Sequence, residues 1–132
     1  MTGQQAITEI CKMLASGNVG VQIFKNRRKN NFSGSEYIVA NHLSFPQESG
    51  LQYGYANINI HVKDVDTGEP NSGRIDQISA LVLPLFKEEK DAEGNVYTVR
   101  LGAEFSLYDD SFSPDEDGTS YQNFKIKVLY YN

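Results

Sequence analysis

The chain's hydrophobic periodicity predicts an α+β fold: a mostly antiparallel sheet of about five strands with two helices packed on one face. Two windows, residues 3–16 and 74–87, bring apolar side chains back at helical spacing, and five others, 19–25, 36–45, 55–64, 97–107 and 121–131, alternate or concentrate β-formers. Between the strand windows lie turns and polar loops, which suits strands that meet as antiparallel neighbours. The 132 residues are enough for one core and too few for two ordinary domains of roughly 100–150 residues each. A single domain spanning 1–132 is expected.

The first helix rests on Ile7, Ile10, Cys11 and Leu14, spaced i, i+3, i+4, i+7. Thr2 can cap its amino end with Gln5 as the reciprocal partner three residues on, and Gly17 is placed to end it. Cys11 lies on the apolar stripe, so its expected role is packing rather than nucleophilic chemistry. As the one cysteine, it also leaves no internal disulfide and no multi-cysteine zinc site.

Val19, Val21 and Ile23 alternate with Gly20, Gln22 and Phe24 in a first strand. It runs into Lys25, Arg27, Arg28 and Lys29, four cations in five positions, and then into the polar 30–35. This segment reads as a solvated hairpin tip or as a contact for a phosphate backbone or an acidic partner surface. Residues 36–45 form the next strand, stopped by Pro46, which lacks an N–H donor. In 55–64, Ile58, Ile60 and Val62 share one face, with Asn57, Asn59, His61 and Lys63 on the other. The Gly/Pro/Asn turn at 66–73 opens a helix over 74–87 carrying Ile75, Ile78, Val82, Leu85 and Phe86. Pro84 falls inside it, where it removes the bond to the Ala80 carbonyl, so a kink or an irregular last turn is expected. A turn at 91–95, one long strand over 97–107, an acidic loop at 109–118 and a final strand over 121–131 complete the order.

Seventeen acidic against twelve basic residues give a net charge of −5, no basis for broad binding to nucleic-acid phosphates or anionic membranes. The amino terminus lacks the basic start and apolar core of a signal peptide, and no window approaches the ~18 apolar residues of a membrane span. A soluble protein made in the cytoplasm is the expectation.

The residues that could carry chemistry do not converge in the sequence. His42 and His61 have no ligand partner at metal-binding spacing. Ser113, Asp115, Asp117 and Gly118 partly match a calcium loop, but its twelfth position falls on Phe124, where a bidentate Glu is needed. Phosphate-cradling glycine loops and the serine-hydrolase elbow have no counterpart. No catalytic, cofactor or metal residue is assigned, and the chain is read as a non-enzyme.

Taken together, the helix at 3–16, Glu36-Tyr-Ile-Val-Ala-Asn41, Asn57-Ile-Asn-Ile-His-Val62, the turn before Arg74-Ile-Asp-Gln-Ile78, and Asn123-Phe-Lys-Ile-Lys-Val128 form a pattern over nearly the whole chain. It resembles that of the tail terminator or tail-completion (head-tail joining) proteins of tailed bacteriophages and prophages, and more loosely the neck adaptors beside them. The resemblance implies a ring, commonly of six subunits, that ends the tail tube and joins it to the neck, in a virion assembled in the host bacterial cytoplasm. Its partners would be further copies of the chain and the tube and neck proteins, with DNA passing through but no sequence-specific nucleic acid, no membrane and no cofactor. On that reading Lys25, Arg27, Arg28 and Lys29 of one subunit are candidates to meet Asp109, Asp110, Asp115 and Asp117 of the next. The other class in play is a small α+β module, unrelated to virions, that binds a peptide or ligand at a sheet edge or pocket.

Overall fold

The computed structural model describes residues 1–114 and 118–132. Helix α1 (Gly3–Ser16) opens with the expected reciprocal cap: the Gln5 amide donates to Thr2 Oγ1 and the Thr2 amide to Gln5 Oε1. Its buried side, Ala6, Ile7, Ile10, Met13 and Leu14, lies against the sheet, each large aliphatic contributing about 1.5–3 kcal/mol by leaving water. Gly17 ends the helix in a right-handed conformation. Its importance there is closeness, because a Cβ would come within 2.8 Å of Leu85.

The strands are β1 (Gln22–Lys25), β2 (Glu36–His42), β3 (Leu51–Lys63), β4 (Glu89–Lys90), β5 (Val96–Arg100), β6 (Ala103–Pro114) and β7 (Thr119–Tyr131). They form one seven-stranded sheet in the order β1-β2-β3-β7-β6-β5-β4. The α+β class and the mostly antiparallel sheet hold, with seven strands where about five were expected: β1 pairs with β2 in parallel, and every other pairing is antiparallel. The centre is β3 against β7, paired from Leu51↔Tyr131 to Lys63↔Thr119. Strict alternation puts Ala56, Ile58, Ile60 and Val62 of β3 and Phe124, Ile126 and Val128 of β7 in one buried cluster with the apolar residues of both helices. Both helices therefore cover the same face, as the sequence predicts.

Three further expectations are corrected. The proposed strand over 97–107 is two strands joined at Leu101 and Gly102, whose φ values of 50° and 73° make a tight two-residue hairpin. The acidic segment is not a loop at Asp109 and Asp110, which belong to β6; that strand continues past a bulge at Tyr108 to Pro114. Finally, the basic segment is no hairpin tip, since residues 26–35 return the chain to the start of a parallel neighbour.

Helix α2 (Ser72–Val82) is capped by Asn71, whose side chain accepts from the Arg74 amide. Arg74 then clamps Glu36 at the start of β2 with two bonds, of 2.5 and 3.0 Å. Pro84 has the anticipated effect: the α-helix stops at Val82 and a 3-10 turn, Leu83–Phe86, follows. This turn is tied to β5 by fully buried Thr98, whose hydroxyl donates to the Leu85 carbonyl at 2.6 Å and accepts from the Glu88 amide at 3.3 Å.

Candidate subunit interface

The four cations leave the sheet at the end of β1. Asn26, with φ of 76°, turns the chain away while its amide still bonds the Ala40 carbonyl. Lys25 Nζ reaches Thr8 Oγ1 of α1 at 2.5 Å. Arg27, Arg28 and Lys29 are exposed and form no ion pair with another described residue, although Arg28 lies 5.5 Å from the centre of the Tyr37 ring. Phe32 anchors the segment by packing edge-on against Phe24 and Tyr37, with centroids 5.0 and 5.7 Å away. Gly34 permits this approach, since a Cβ there would meet the Phe32 ring at 2.3 Å.

Asp109 and Asp110 lie at the far side of the sheet. Beyond the bulge, β6 has β7 on one side, and β5 reaches only as far as Phe105. Asp109 faces Lys125 across the pair and Asp110 faces Phe124; both carboxylates are exposed. Asp115 and Asp117, the other two acidic candidates, lie outside the described residues. The strand order thus separates the cationic and anionic segments to opposite sides of one sheet. Lys25 on β1 and Asp109 and Asp110 on β6 are separated by β2, β3 and β7.

The helix-free face between them is held by its own side chains. Asn57 donates to Asn41 at 2.9 Å, and Asn123 donates to Asn57 and Asn59 at 3.2 and 2.8 Å, linking three strands. Beside this relay, His61 stacks between Tyr37 and Tyr121, with centroids 4.5 and 5.0 Å apart. Asn57, Asn59 and His61 of β3 are therefore partners of their neighbours on the sheet.

His42 bonds the Leu43 carbonyl through Nδ1 and meets Gln4 at 3.2 Å through Nε2. No group of three potential metal ligands occurs among the described residues. Burial raises the Cys11 thiol above its ordinary pKa, against a smaller opposing influence of Lys25, so the thiolate is disfavoured.

The sequence reading missed a set of exposed or half-exposed aromatics on β3 and β6. Tyr53 receives Lys127 Nζ 4.4 Å above its ring, Tyr55 and Tyr108 lie 5.1 Å apart, and Phe112 is 46% exposed. Alternation was the available signal for Tyr53 and Tyr55, which fall opposite the buried positions of β3. Tyr108 and Phe112 gave none, because the bulge shifts their register. No helix among the described residues is long and apolar enough to cross a membrane.

No protein-family model and no curated protein matches the sequence. Among solved structures, this fold is similar to that of a chain in the virion of a native gene transfer agent (GTA) particle, with a TM-score of 0.59 over 93% of this chain and 92% of that one, at 10% identity.

Proposed function

We propose that the protein is a structural subunit of a phage-type virion, a tail terminator or tail-completion protein that forms a ring at the end of the tail tube and joins it to the neck. The observation that carries the reading is the shared fold with a chain of a gene transfer agent virion, over nearly the full length of both chains. The sheet adds support for a ring: a subunit with a cationic side and an anionic side makes head-to-tail contacts, and these close when the rotation divides the circle. The role is assembly without catalysis. A net charge of −5 also suits a ring that DNA must traverse without sticking.

Deleting the gene from a particle-producing genome and imaging the products by electron microscopy tests the assignment. Tubes of uncontrolled length and heads without tails are expected. Tails of normal length left unattached to heads would move the protein to the neck as an adaptor. Intact particles would remove it from head-tail joining altogether.

A further inference from the structure

We propose that the outer side of β6 at Asp110–Ser113 pairs antiparallel with the outer side of β1 at Gln22–Lys25 in a second copy, so that the sheet runs on from subunit to subunit. This contact rests on the ring reading above and specifies how one subunit would hold the next.

Four observations carry it. First, both segments are paired on one side only among the described residues, and neither contains a proline that would block pairing. Second, they share the same rungs of the sheet. Lys25 leads through Ala40, Ile58 and Phe124 to Asp110, and Ile23 leads through Ile38, Ile60 and Gln122 to Phe112.

Third, the directions suit. From β1 to β6 there is one parallel step followed by three antiparallel ones, so β6 runs opposite to β1. A copy rotated about an axis along the strands would present β1 antiparallel to β6. Fourth, the side chains match in charge and shape on each face. Lys25 and Asp110 both point to the helix side, where a cross-strand pair of opposite charge is favourable. One rung away on that side, exposed Phe112 would face Ile23 and a shallow groove of about 610 Å³ that Leu14, Ala15, Val19 and Val21 help to line. On the other side, Asp109 lies level with the point where β1 passes into Asn26, Arg27 and Arg28.

The test combines native mass spectrometry of the purified full chain with two sets of variants. K25E and D110K should each raise the concentration needed for half-assembly by about tenfold, and the double variant should return it to within about threefold of the parent. In a C11S background, I23C with F112C should give a disulfide-linked ladder of subunits on oxidation, the spacing across an antiparallel pair being within reach of a disulfide. Neither single cysteine should do so. F112D, altering an exposed side chain, should weaken assembly with an unchanged melting temperature and covers the case in which I23C fails to fold. A closed oligomer without the ladder and without charge-swap rescue would overturn the strand pairing and leave the ring in place. A chain that stays monomeric with and without tail tubes would remove the ring, and this contact with it.

Discussion

Replacing Thr98 by Val keeps the shape of a fully buried side chain and deletes its hydroxyl. The structure gives that hydroxyl two partners, the Leu85 carbonyl at 2.6 Å and the Glu88 amide at 3.3 Å. Glu88 is exposed, so its amide can turn to water. The Leu85 carbonyl sits at the end of the turn that Pro84 imposes, and it loses its short bond inside the protein. An unsatisfied buried group costs about 1–3 kcal/mol, so T98V should lose about 2 kcal/mol. In urea this is a midpoint lower by about 1 M with an unchanged slope, and in a thermal scan a drop of about 8 °C. T98S retains the hydroxyl and loses one methyl, about 1 kcal/mol. If T98V were no worse than T98S, the hydrogen bond would not be what ties the 3-10 turn to β5.

Gly54 lies in β3 beneath Phe45, and an added methyl would lie 2.4 Å from that ring, which stacks on Tyr130; G54A should cost about 1–3 kcal/mol, read as a lower urea midpoint. A G54A protein as stable as the parent would mean that Phe45 does not hold this position. Asp91 accepts from the Asn95 side chain and from the Glu93 and Asn95 amides, bonds that hold its carboxyl below the ordinary range, that to the Asn95 side chain foremost. Because the folded value is the lower one, this turn's contribution is complete above the unfolded pKa of about 3.9 and fades as pH falls towards the folded one. Amide exchange at Glu93 and Asn95 should gain a pH dependence in that window, and D91N should abolish it.

Much of the fold was legible because local chemistry and periodicity agreed. The reciprocal cap at Thr2 and Gln5 and the stripe from Ile7 to Leu14 marked α1 to within a residue, and Pro84 marked the irregular turn that follows α2, although the helix expected over 74–87 runs from Ser72 to Val82. Alternation marked β3 and β7 but says nothing of strand direction, so the parallel pairing of β1 with β2 was invisible. The Leu101–Gly102 hairpin was hidden for a related reason: two residues of turn preserve the two-residue alternation, and Leu, at 69% exposure, stands where Asn or Asp would have signalled the turn. Asp109 and Asp110 looked like a loop because neither side of that stretch of β6 is buried, so a strand there needs no apolar pattern. The charged segments were visible as sequence; their placement on opposite sides of the sheet was not, since it depends on strand order.

The pairing of β3 with β7 also governs when the molecule can exist. The strand at the middle of the sheet follows the other six along the chain, so the β1–β2–β3 portion and the β4–β5–β6 portion have no shared rung until residues 119–131 dock. Contacts so far apart along the chain are slow to form because the intervening loop must close first. The outer sides of β1 and of the far part of β6 acquire their common level only at that moment. Before residues 119–131 dock, a folding chain holds both portions of the sheet without fixing their relative positions.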